Sequence, residues 1–131
     1  MKRTASAHWE GDLKTGKGNL STQSTVLNKS QYSFNTRFES GVGTNPEELL
    51  AASHAGCFTM AVGAALAQAG FPAKSLDTVA TVTLEGLDIT SSHLSLKGSV
   101  PNITAAQFLE IVKGAEKNCI ISKALKMPIT S

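Results

Sequence analysis

The sequence predicts an α+β fold, with antiparallel sheets wrapped around a long buried central helix, in a single domain spanning residues 1–131. Three observations point there. Segments that alternate with a period of two lie on both sides of a long uncharged run, a strong helix start opens that run, and an amphipathic helical stretch follows the last alternating segment. At 131 residues there is room for one core of two layers and not for two independent folds.

The first alternating material is Ala7-His8-Trp9-Glu10-Gly11-Asp12, closed by a turn signal, with a second turn signal at Gly16-Lys17-Gly18. Asn19 to Leu27 is rich in Ser and Thr, and Asn28-Lys29-Ser30 reads as a hairpin turn. Tyr32, Phe34, Thr36 and Phe38 then alternate with Ser33, Asn35, Arg37 and Glu39, which predicts a half-buried strand with Arg37 facing away from the aromatic row. After the loop Ser40–Thr44, Asn45 is placed to cap a helix whose first residue is Pro46 and whose first turn carries Glu47 and Glu48, where carboxylates complement the helix dipole.

From Leu49 to Ala69 no side chain is charged, and Gly70-Phe71-Pro72 stops the run. At about 1.5 Å per residue it is long enough to cross a bilayer. Ser53, His54, Thr59 and Gln68 interrupt it, alanines replace bulky side chains, and no basic flank or aromatic belt anchors it. The expectation is a helix buried on several faces, with no membrane partner. Strands resume at Val79–Leu84 and His93–Val100 around a turn near Glu85-Gly86-Leu87, with Leu94, Leu96, Gly98 and Val100 on one face. Thr104 and Gln107 have capping-box spacing, and Phe108, Ile111, Val112 and Ala115 follow on one helical face up to Lys117-Asn118. Cys119 opens a short last segment.

Composition excludes several classes. Twelve Lys+Arg stand against ten Asp+Glu, and apolar residues make up 41%, which is not the signature of disorder. Basic clusters are absent and aromatics are only 5%, so no nucleic-acid partner is expected. Met1-Lys2-Arg3 leads into polar residues and not an apolar leader, so the expected location is cytoplasmic. Two cysteines in such a chain are either inert core residues or chemically employed.

Cys57 sits midway along the apolar helix, where a free cysteine ordinarily behaves as a small hydrophobe and where burial raises its pKa. A reactive Cys57 therefore needs a cation. His54, three residues earlier, is one candidate, and a Cys–His pair would indicate a hydrolase or acyltransferase; the plainer alternative is a histidine filling a helix interface. Arg37 is the other: always charged, with five donors in a fixed fork, though an arginine at a strand end is more often solvated. His54-x-x-Cys57 with Cys119 lacks the close cysteine pairs of a zinc site, and no metal or cofactor is expected.

The blocks Ala7-His8-Trp9-Glu10-Gly11, Phe34-Asn35-Thr36-Arg37-Phe38, Gly43-Thr44-Asn45-Pro46-Glu47-Glu48-Leu49-Leu50-Ala51-Ala52 and Ala55-Gly56-Cys57-Phe58 resemble the OsmC/Ohr family, its OsmC branch more than its Ohr branch. The resemblance covers nearly the whole chain, through Ala115-Glu116-Lys117-Asn118-Cys119. It implies a thiol peroxidase of stress defence that reduces organic hydroperoxides, and hydrogen peroxide more weakly. It also implies an intertwined homodimer with active sites at the subunit interface. By resemblance Cys57 is the peroxidatic and Cys119 the resolving cysteine, Arg37 and Glu47 activate the thiolate, and a dithiol of the dihydrolipoyl type is the reductant. The chain departs from relatives at Ile120, where proline is common, and relatives continue past Ile129-Thr130-Ser131 into a final strand.

On these roles Glu47 would hold the guanidinium in a bidentate pair. Glu48, Leu49, Leu50, Phe58 and Met60 would surround the site and favour alkyl or lipid hydroperoxides. Ten residues of helix separate Glu47 from Cys57, about 15 Å. Either the helix begins later than Pro46, or Arg37 and Glu47 reach Cys57 of a second chain. The alternative to an enzyme is a dimeric stress or binding module with two dormant thiols.

Overall fold

The computed structural model describes Met1–Ser131. The chain separates into two compact units, Met1–Leu49 and Leu50–Ser131.

The first unit is a three-stranded antiparallel sheet, in the order β1 (Ala5–Glu10), β2 (Lys17–Thr22), β3 (Ser30–Tyr32), followed by a short helix α1 (Phe34–Phe38). Lys17 and Gly18, expected in a turn, are the first residues of β2 and pair with Glu10 and Trp9. Gly18 is there because Trp9 and Tyr32 meet over it: a Cβ would fall 2.5 Å from the Tyr32 ring and 2.6 Å from the indole. The two rings lie 5.5 Å apart at a tilt of 55°.

The aromatic alternation misleads at Phe34–Phe38, which is helix and not strand. Local hydrogen bonding decides it. The Ser33 hydroxyl accepts from the Thr36 N–H and the Thr36 hydroxyl accepts from the Ser33 N–H, a capping box that starts a turn at Phe34. In a helix Phe34 and Phe38 fall on one face, their centroids 4.9 Å apart.

Helix α2 runs unbroken over Pro46–Gln68. Asn45 starts it as expected, its side-chain oxygen accepting from the Glu48 N–H at 2.8 Å. The helix therefore begins at Pro46 and no later. Gly70, at φ +89°, follows its end.

In the second unit β4 (Ser75–Glu85) and β5 (Asp88–Ser99) form a long antiparallel hairpin, turned at Gly86 with φ +62°. One pairing departs from the expected antiparallel pattern: β6 (Ile129–Thr130) runs parallel to β5 beside Ser92 and His93. Helix α3 (Ala105–Asn118) opens on the expected capping box, Thr104 accepting from the Gln107 N–H and the Gln107 side chain from the Thr104 N–H. Cys119 then caps the short helix α4 (Ile120–Ala124).

The core of this unit is Phe58, Val62 and Leu66 of α2 against Leu94 of β5, Val112 and Ala115 of α3, and Cys119. The buried side of α2 is thus one stripe at every fourth residue, His54, Phe58, Val62, Leu66. The expectation of burial on several faces does not hold within one chain: Ala52, Gly56, Met60 and Ala64 are exposed. Leu94 is fully buried in this core, so Leu94→Ala should cost about 2–5 kcal/mol in urea unfolding, against about 0.5 kcal/mol or less for Leu109→Ala on the exposed side of α3.

Candidate active site

The predicted site residues fall into two pairs, one in each unit. In the first, Arg37 is delivered by α1 and Glu47 by the first turn of α2. Arg37 Nε and Nη2 each lie 2.9 Å from Glu47 Oε1. The pair is not the expected two-oxygen fork: Nε donates to Oε1, Nη2 makes an ion-pair contact with the same oxygen, and Glu47 Oε2 is buried without a hydrogen-bond partner. Glu47 is nearly enclosed, while the Arg37 side chain is 43% exposed, so the guanidinium keeps donors for a further partner. The Phe38 ring lies 5.3 Å below its carbon. Trp9, Leu13, Tyr32, Phe34 and Phe38 share with Arg37 an apolar hollow of about 280 Å³.

In the second unit, Cys57 of α2 and Cys119 at the start of α4 are both free thiols, with Sγ atoms 2.8 Å apart. Sixty-two positions of sequence separate them. Burial first, and Cys119 second, push the Cys57 thiol up, against a weaker pull from the backbone of Ile121 and Ile120. Burial also acts to raise Cys119, but its hydrogen bond to Cys57, the backbone and hydroxyl of Ser122, and the backbone of Ile121 outweigh this and bring it below its ordinary value. Burial thus opposes ionisation of Cys57, and a cation beside it is what would offset this.

The remaining predicted residues are dispersed. Phe58 is fully buried in the core and does not line an open pocket. Met60 is exposed, Leu50 is half-buried, and Glu48 accepts a hydrogen bond from the Thr44 hydroxyl.

His54 is completely buried, with Nδ1 2.7 Å from Ser92 Oγ and Nε2 2.8 Å from Ser122 Oγ. Both ring nitrogens are thus committed to serines and neither to Cys57, which removes the geometry a Cys–His nucleophile requires. The two serines escaped the sequence reading. Ser92 had a legible signal, since it shares the inward parity of Leu94 and Leu96 on β5. Ser122 had none beyond lying three residues after Cys119.

The two-sheet architecture with a long helix is that of OsmC-like and organic hydroperoxide resistance proteins. An OsmC-like protein of unknown function from Vibrio cholerae matches it with a TM-score of 0.75 at 14% identity, over 100% of this chain and 98% of that one. The organic hydroperoxide resistance protein OhrB of Bacillus subtilis matches with a TM-score of 0.69 at 21% identity, over 98% of each chain. In sequence, the OsmC-like protein family matches residues 39–131. Peroxiredoxin OsmC of Escherichia coli (strain K12) is 48% identical, over 99% of this chain and 94% of that protein, and so is Peroxiredoxin OsmC of Shigella flexneri. This chain belongs to the OsmC-like family.

Burial lowers the pKa of His54. Below the ordinary imidazole value of 6.5 the unfolded chain takes a proton that the folded chain refuses, so this stability is complete above that pH and falls as pH drops toward the folded value. Urea midpoints should therefore decrease between about pH 7.5 and pH 5.5, and His54→Gln should flatten the decrease.

Proposed function

We propose that this chain is a peroxiredoxin-type enzyme of oxidant defence that reduces organic hydroperoxides through Cys57, with Cys119 as the resolving thiol. The observation that carries the reading is the 2.8 Å separation of two free thiols, close enough for a disulfide to form between them. The peroxiredoxin relatives at 48% identity support the same chemistry.

The nucleophile must be a thiolate, and at an unperturbed pKa only about 3% is present at neutral pH. Cys57 is worse placed still, since its own unit raises it. Arg37 is the group suited to correct this. It never loses its charge, Glu47 holds it through the Nε hydrogen bond and an ion-pair contact at Nη2, and it is still partly open to solvent. Thiolate Cys57 attacks the distal oxygen of the hydroperoxide, the O–O bond breaks, and the alcohol leaves with a proton. Cys57 is left as a sulfenic acid. Cys119 displaces its oxygen as water to form the disulfide, and an external dithiol of the dihydrolipoyl type reduces it; a cytoplasmic setting would keep both thiols free between turnovers. The aromatic hollow beside Arg37 suits an alkyl group better than hydrogen peroxide.

Because α2 begins at Pro46, Glu47 and Cys57 are separated by about 15 Å of helix rise. We therefore place Arg37 and Glu47 of one chain at Cys57 of a second, in a homodimer whose sites lie at the subunit interface. The single chain leaves the surface such a dimer needs. The first unit buries no large apolar side chain, and Val26, Val42, Met60 and Val79 stand exposed.

Two experiments test this. One equivalent of organic hydroperoxide should remove two protons from a single chain, seen by mass spectrometry, with Cys57 and Cys119 joined; a disulfide between chains would refute the resolving role. Mixing inactive Cys57→Ser with inactive Arg37→Ala should restore activity to about a quarter of wild type by random pairing in a twofold dimer, and no recovery would contradict a shared site.

A further inference from the structure

Two polar contacts join α2 to the segment that carries Cys119, and peroxide reduction as described uses only one of them. Cys57 Sγ meets Cys119 Sγ at 2.8 Å, and His54 Nε2 meets the Ser122 hydroxyl at 2.8 Å. His54 precedes Cys57 by three residues and Ser122 follows Cys119 by three. The contacts are therefore rungs about one helical turn apart between the same two elements, which run in opposite directions past each other. The other ring nitrogen of His54 is engaged as well, with Nδ1 2.7 Å from Ser92 Oγ on β5. His54 and Ser92 are completely buried, and Ser122 nearly so.

The segment needs such a tie. At five residues α4 is too short to hold itself. Cys119 at its N-cap makes no side-chain capping bond, which leaves the sulfur free and the helix start unsecured. The backbone bonds around it are local: the Cys119 N–H donates to the Ala115 carbonyl, Lys123 to that of Cys119, and Leu125 to that of Ile121. Ile121 packs against the core, but apolar contact is non-directional and does not fix the rotation of a short helix. The bond from Ser122 to His54 is directional and buried, so leaving either partner unpaired is costly. Ser92 fixes the imidazole from the other side, which anchors the rung on the sheet as well as on α2.

We propose that His54 is a positioning residue for the resolving step: through Ser122 it fixes α4 and so holds Cys119 within reach of oxidised Cys57. The proposal rests on the resolving role given to Cys119 above. In that step the Cys119 sulfur bonds to the Cys57 sulfur and the S–O bond of the sulfenic acid breaks. The oxygen leaves as water, carrying its own hydrogen and the proton of Cys119. Cys119 sulfur is oxidised, Cys57 sulfur is reduced to the same level, and no further reductant is consumed. Both sulfurs belong to one chain, so the rate follows how closely they are held, and a displacement of about 1 Å is enough to cost about 100-fold. His54 gives up no proton and touches neither sulfur; it acts through the place it gives Cys119.

The test follows two events in the intact protein after one equivalent of cumene hydroperoxide. These are sulfenic acid formation, trapped with dimedone, and closure of the Cys57–Cys119 disulfide, quenched and read by mass spectrometry. Ser122→Ala and Ser92→Ala each take one buried bond from the same imidazole, but only Ser122 lies on the segment of Cys119. Closure relative to sulfenic acid formation should slow about 10-fold in Ser122→Ala, between no effect and the cost of a full displacement, and stay within about twofold of wild type in Ser92→Ala. Wild-type closure in Ser122→Ala, or equal slowing in the two variants, would show general packing and overturn the positioning role. Should Ser122→Ala fail to fold, His54→Gln and His54→Asn decide. The longer amide reaches the place of Nε2 and Ser122, and the shorter one only that of Nδ1 and Ser92, so His54→Gln should close faster than His54→Asn. Equal closure in that pair, or the reverse order, would overturn the role. A wild-type protein that forms sulfenic acid but never the disulfide would instead overturn the resolving role of Cys119, and the positioning role with it.

Discussion

Burial of a thiol opposes the charge that its chemistry needs, and the site is organised around that conflict. Cys57 sits beside the buried stripe of α2, where loss of solvent holds it protonated. Its hydrogen-bonded neighbour Cys119 acts in the same direction. Only a cation that cannot itself deprotonate reverses this at every relevant pH. Arg37 has that property, and its attachment to Glu47 limits the directions in which it can be presented. On the proposed reading the chemistry thus depends on assembly more than on any single side chain.

The fold serves the thiols through ordinary packing. Phe58, Val62 and Leu66 anchor α2 in the core, which fixes the rotation of the helix and so the direction of Cys57. Val112 and Ala115 of α3 share that core, and the turn after Asn118 sets Cys119 at the entrance of α4. In the proposed mechanism this placement matters, because an oxidised Cys57 without a nearby thiol would be exposed to further, irreversible oxidation. The residues exposed along the rest of α2 are small or flexible, among them Ala52, Gly56, Met60 and Ala64, which permits another surface to come close.

What could be read from the sequence follows the range of the interactions involved. Asn45-Pro46, the Thr104–Gln107 box and Gly86 specify their elements through neighbours within four residues, and each formed where expected. Phe34–Phe38 failed for an instructive reason: its aromatic alternation fits a strand, but the Ser33–Thr36 side chains satisfy the backbone locally and win. Longer-range facts were beyond spacing. The contact of Cys57 with Cys119 was expected only from the family resemblance, the convergence of Arg37 on a single Glu47 oxygen depends on how α1 meets the start of α2, and the serines that hold His54 come from two distant elements. Phe58, adjacent to Cys57 in sequence, points into the core because one residue of helix turns the side chain by about 100°.

The pH dependence of Cys57 alkylation, measured in the assembled protein carrying Cys119→Ser, bears most directly on thiolate activation. With Arg37 in place, the midpoint should fall clearly below that of a free cysteine, about 8.5. A midpoint at or above that value would mean that nothing offsets burial at this sulfur, and Cys57 would then be a core residue with no part in reducing peroxides.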